Sequence, residues 1–221
     1  MRLALFFVVA VCCGAAIIDQ LAVTVGNQAI TENEVTDDIR LAALLNGVAV
    51  DNSVTARRAA AARLIEQALI RREMSFGSYP QVQESEVNEA MAAAEKAHGG
   101  RAALDESLKS YELTTKELRN YLTWQLQLLR FIDLRFRPAV QVTNEDIEKY
   151  YQESVVGPQP AGKAPELSEV RSQIEQKLSS ERVDQQLDRW IRQSRARTTI
   201  RFEDAALSSE ASLFPQPGTK K

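Results

Sequence analysis

Histidine and cysteine are almost missing from this sequence: 221 residues hold one His and two Cys. A single histidine, His98, leaves little room for a His-based metal site or for His-dependent catalysis. Glycine (9) and proline (7) are too scarce for a collagenous or turn-dense all-β chain. A basic excess is missing as well. Lys and Arg number 27 against 30 Asp and Glu, a net charge of −3, which argues against a dedicated nucleic-acid binder. There is no Gly-rich phosphate loop, no H-E-x-x-H and no G-x-S-x-G, so no catalytic residue, metal ligand or cofactor is expected. What is present is 44% apolar and 26% charged residues, enough to bury a core in one domain, or one domain with an appendage.

The N-terminus reads as an address. Met1 and Arg2 precede an unbroken apolar run, Leu3 to Val11, and Gly14 and Ala16 suit the −3 and −1 positions of a cleavage site. A signal peptide over residues 1–16 is expected, and with it export from the cytoplasm. The apolar stretch is short of the roughly 20 residues that span a bilayer, which disfavours an uncleaved anchor. A lipoprotein at Cys12 is the third option, disfavoured by Val11 in front of it. Cleavage after Ala16 would leave a mature chain without cysteine or thiol chemistry.

The rest predicts a mostly α fold with a small sheet. Leu21 to Val25 alternates, Gly26-Asn27 supplies a hairpin turn, and Gln28 to Ile30 returns, placing Val23 opposite Ile30. A lone hairpin is marginal in water. The one comparable β-rich run, Thr198 to Phe202, is expected to come back and complete the sheet. Thr31-Glu32-Asn33-Glu34 is a capping box opening a helix that Gly47 stops. A second helix follows Asp51-Asn52-Ser53 to about Met74, a third runs from near Ser85 to His98, and a short one covers Ala102 to Ser110. Thr114-Thr115-Lys116-Glu117 opens the most apolar helix, which Pro138 halts. Another short helix is capped at Thr143. Residues 155–164 read as a linker, after which Pro165 would start a long closing helix. Residues 203–221 read as a flexible tail. Arg57-Arg58 and Arg71-Arg72 read as solvated faces, and His98 as a helix cap.

These segments, in this order, resemble the SurA-like periplasmic chaperones, relatives of the parvulin-type peptidyl-prolyl isomerases. The resemblance runs from about Gln20 to Phe202. It rests on AVTVGNQAITENEV, RLIEQALIRREM, the ELT-x-x-ELRNYL segment, VTNEDIEKYY and the closing EVRSQIEQKLSSERVDQQLDRWIRQSRARTTIRF. It implies a multi-helix SurA/trigger-factor-like chaperone domain, residues 17–154 completed by 165–202. The family commonly carries a parvulin domain between the segment ending YY and the closing helix. Here only the linker stands there, whereas a folded domain needs roughly 50 residues. The resemblance therefore implies a periplasmic location and a holdase without isomerase chemistry, whose partners are unfolded or extended polypeptides such as outer-membrane or exported clients. The apolar surplus of the long helix, with the first two helices opposite, suggests Leu41, Leu45, Trp124, Leu128 and Phe131 as peptide-contact residues. A peptidyl-prolyl isomerase and an envelope scaffold with one fixed partner are the alternatives.

Overall fold

Strand β1 (Leu21–Val25) turns at Gly26, φ +62°, into β2 (Gln28–Thr31). Only the first central residue of this turn takes a positive φ, as a II′ hairpin requires of glycine. Val23 pairs with Ile30 as the alternation predicts. The computed structural model describes residues 19–157 and 164–208; the expected address segment, most of the linker and the chain beyond 208 lie outside them. Strand β3 (Ile200–Phe202) adds antiparallel to the free edge of β1, giving the order β2-β1-β3. Val23 thereby sits between Ile30 and Phe202, and the first strand of the fold is the centre of its sheet.

Seven α-helices make up most of the described residues. Helix α1 (Glu32–Asn46) starts from the expected capping box: Thr31 Oγ1 accepts from Glu34 N, and the Glu34 carboxylate accepts from Thr31 N at 2.8 Å. It ends at Gly47 in the left-handed region, φ +62°. Helix α2 (Val54–Phe76) is capped by Ser53. Helices α3 (Glu84–Ala97) and α4 (Arg101–Ser110) follow, then α5 (Thr115–Arg135), with the second capping box at Thr114 and Glu117. His98 caps α3, its Nδ1 placed 2.9 Å from the Ala94 carbonyl. Pro138 lies in a 3-10 turn just past α5.

Helix α6 (Asn144–Tyr150) continues as a wider π turn to Val156, so the linker starts later than residue 155. Helix α7 (Leu167–Ala196) begins after Pro165, not on it, with Glu166 as its N-cap.

The apolar side chains form three clusters along the molecule. One lies under the sheet, where Val23, Val25, Val35, Ile65 and Leu69 meet. A second joins Leu41 and Leu44 of α1 to α3, α4 and the start of α5. The third gathers Ile70, Trp124, Phe131, Phe136 and Val183 where α2, α5 and α7 meet.

Two expectations about the surface are corrected. The tail does not begin at 203. Asp204 caps a short turn over Ala205–Leu207, and Leu207 is fully buried in the cluster under the sheet. Burying a leucine is worth roughly 1.5–3 kcal/mol, which outweighs the polar character of its neighbours. Arg57 and Arg58 are not a solvated face either. Arg57 bridges Glu32 at 2.6 Å and Asp204 at 2.8 Å, and Arg58 Nε donates to the Ala206 carbonyl. Together they fasten the end of the fold to its beginning.

Candidate functional site: a trough between α2 and α5

On α5, Asn120, Thr123, Trp124 and Gln127 recur at i, i+3, i+4 and i+7, the spacing of one helical stripe. On α2, Arg71, Met74 and Ser75 recur at i, i+3 and i+4. Facing stripes of this length normally close on leucines. Here they carry amides, hydroxyls and one aromatic ring, so the helices leave a trough of about 500 Å³ with Gln81 at its margin. That volume falls within the roughly 300–1,000 Å³ of ligand-binding pockets.

The trough has a built floor. Gln127 is 8% exposed, and both ends of its amide are satisfied by the irregular segment between α2 and α3. Its Nε2 donates to the Pro80 carbonyl at 3.0 Å, and its Oε1 accepts from Val82 N at 3.1 Å. One turn on, Arg130 donates to the Gln81 carbonyl at 2.6 Å and pairs with Glu86. Helix α5 thus already holds one non-helical stretch of backbone through its side chains.

At the other wall the Arg71 guanidinium stacks over the Trp124 ring, 4.4 Å from its centroid. Burial against the ring pushes the Arg71 pKa down, although the residue as a whole is exposed and arginine stays cationic at any physiological pH. Beyond this lid lies a second cavity of about 180 Å³, where Leu41, Leu64, Tyr121 and Trp124 meet four carboxylates: Glu34, Asp37, Asp38 and Glu117. Burial raises the pKa of Asp37, and the Glu117 charge adds to it; burial also raises that of Asp38, against the pull of its partner Arg63. Trp124, Arg71 and Asn120 line both cavities, so the two are one trough divided by a ring and its cationic cover.

The five residues suggested by the sequence are placed differently from one another. Leu41 and Trp124 meet at the small cavity. Leu128 is half-buried against the aromatic cluster. Leu45 is 45% exposed near the end of α1 and lines neither cavity. Phe131 has no exposed surface; Tyr79, Phe136 and Trp190 surround it at 5.2, 5.7 and 5.6 Å between ring centroids. As a contact residue Phe131 is corrected: it is core, because the chain supplies three rings that cover it. The sequence reading missed Arg71, Asn120, Thr123 and Gln127. For the three on α5 the signal was a polar stripe at helical spacing through Trp124; Arg71, on α2, carried no signal beyond its charge.

Among the described residues no cluster of three or more His, Cys, Asp or Glu is placed to hold a metal ion, and no helix is long and apolar enough to cross a membrane.

A mostly α domain whose N-terminal hairpin is completed by a strand from the far end of the chain, with a long closing helix before that strand, has the SurA-like chaperone fold. A solved structure from Campylobacter jejuni shares it with a TM-score of 0.54 at 12% identity, over 85% of this chain and 100% of that one. It comes from work describing the virulence factor PEB4 and the periplasmic protein Cj1289 as two structurally related SurA-like chaperones. No family model and no curated protein matches the sequence.

Proposed function

We propose that the protein is a periplasmic holdase that binds extended or unfolded polypeptides in the α2–α5 trough, without isomerase chemistry. The observation that carries this reading is the trough itself: a ring, a methionine and a row of amides and hydroxyls, set between helices that packing would otherwise close. An extended chain offers apolar side chains on alternate positions and unpaired backbone N–H and C=O groups between them. Trp124 and Met74 suit the first, and Asn120, Thr123 and Gln81 suit the second. Thioether and aromatic surfaces tolerate many shapes, as a binder of varied clients requires. Leu41 would extend the apolar contact past Trp124.

Location is supported by the apolar N-terminal run and by the likeness to chaperones one of which is described as periplasmic. The absence of isomerase chemistry is supported by the short stretch between α6 and α7, in the place where the resembling family inserts its parvulin domain.

The test uses the purified chain with several unrelated unfolded clients, an outer-membrane polypeptide among them. Suppression of client aggregation is expected, with Trp124→Ala weakening peptide affinity about tenfold and Trp124→Phe recovering part of it. A proline-peptide isomerisation assay should give no signal above buffer. Capture of a single fixed partner, with no protection of unrelated clients, would replace this reading with an envelope scaffold.

A further inference from the structure

On the opposite side of the α2 end lies a second concavity, of about 330 Å³, between the C-terminal turns of α2 and α7. Its wall holds Arg72, Arg135 and Arg197 against one carboxylate, Glu73. Glu73 pairs with Arg135 at 3.1 Å. Arg72 makes one side-chain hydrogen bond, to Thr198 Oγ1 at 3.3 Å, and among the described residues neither Arg72 nor Arg197 has a carboxylate partner. Three arginines facing one carboxylate make this wall locally positive in a chain whose net charge is −3. A cation at the end of α7 suits the helix dipole, which accounts for Arg197 but not for Arg72. Beside them Phe76 stands 80% exposed, and Trp190 forms the inner wall. A large ring left in water beside two exposed guanidinium groups has no role in the packing of this fold.

We propose that this pocket binds an Asp or Glu side chain of an extended polypeptide, with the neighbouring apolar residue of that polypeptide against Phe76 and Trp190. A carboxylate matches the planar fork of a guanidinium, and two such forks from different elements fix its position. An internal acidic residue is favoured over a free C-terminus because every unfolded client offers many of the first and one of the second. The choice of occupant rests on the function proposed above, but the pocket shares no lining residue with the trough, so the two sites can fail separately.

The experiment measures binding of two labelled peptides to the purified chain: a short C-terminally amidated peptide alternating Asp and Leu, and its Asn-Leu counterpart. Amidation leaves side-chain carboxylates as the only acids. The expected results are tighter binding of the Asp peptide and a loss of about tenfold or more for that peptide in R72Q/R197Q, the Asn peptide being unaffected. The preference for Asp should fall when salt is raised from about 0.1 M to about 1 M, where the Debye length shrinks from ~10 Å to ~3 Å. Far-UV circular dichroism and a thermal melt establish that the variant is folded. Equal binding of the Asp peptide by folded R72Q/R197Q and unaltered protein would overturn the assignment. So would an equal loss for both peptides, or preference appearing only when the C-terminus is left as a free acid. Trp124→Ala separates the two sites: if it spares both peptides while R72Q/R197Q weakens the Asp peptide, the pocket stands and the trough does not.

Discussion

Trp124 and Phe131 lie two turns apart on one face of α5, and exposure hardly distinguishes them: 6% and 0%. Their covers differ. Phe131 is enclosed by Tyr79, Phe136 and Trp190, three rings held by three separate segments of chain. Trp124 is covered on one side by the guanidinium of Arg71, a long side chain that can swing into water, and it borders two cavities. One ring is buried by structure that would have to unfold to release it. The other is buried by a cover that can be exchanged for a ligand. Low exposure alone therefore does not separate core from site; the chemistry of the covering group does.

The sharpest way to break this comparison is to remove each part in turn. Phe131→Ala should cost about 3–5 kcal/mol of stability, read from urea unfolding, because it opens a cavity among rings that cannot collapse together. A loss below about 1 kcal/mol would mean that Phe131 is as loosely covered as Trp124. Next in size, Leu207→Ala should cost about 2–5 kcal/mol, since that side chain is fully buried under the sheet. If it proved neutral, residues 203–208 would be the flexible tail that the sequence suggests.

Arg71→Ala should change stability by only about 0.5–1 kcal/mol, the size of a cation–π pair at a partly exposed site. It should still shift tryptophan emission to longer wavelength and make it more accessible to a neutral quencher. Unchanged emission would show that Trp124 is buried by fixed structure, as Phe131 is.

The smallest expected effect is on pH dependence. Burial raises the pKa of Asp37 and Asp38 in the folded protein, so the native state takes up protons before the unfolded one. Lowering the pH from 7 toward about 5 should raise the melting temperature slightly. Asp146 behaves in the opposite sense. Arg182 and the Thr143 cap hold its carboxyl well below the usual range, and the Gln83 cap and Arg130 lower the pKa of Glu86. These two contribute stability above the unfolded carboxylate pKa near ~4, lost as the pH falls below it. Melting temperature followed across this range should rise and then drop. Asp37→Asn should flatten the rise, and Asp146→Asn should soften the drop; a monotonic curve in the unaltered protein would contradict the pairing.

The periodic and capped elements were legible in the sequence because their causes are local. Thr31 with Glu34, Ser53, and Thr114 with Glu117 satisfy backbone groups within one helical turn, so each helix start follows from neighbours in the chain. The Gly26 turn and the pairing of Val23 with Ile30 follow from alternation across a two-residue hairpin. Even the return of β3 could be inferred, because a hairpin alone cannot bury its face.

What tertiary structure decided is which side chains meet. Leu207 looked like part of a polar tail until the sheet placed it over α2, and Arg57 became a clamp only when Glu32 and Asp204, from opposite ends of the chain, converged on it. Periodicity put Trp124 and Phe131 on the same stripe and could say no more, since it describes a helix and not its neighbours. Arg71 reached Trp124, and Tyr79, Phe136 and Trp190 reached Phe131, through contacts between α2, α5, α7 and the segment joining α2 to α3. Local hydrogen bonding and periodicity determine the elements of this protein. The difference between its core and its candidate binding site arises from contacts distant in sequence, which only the folded chain brings together.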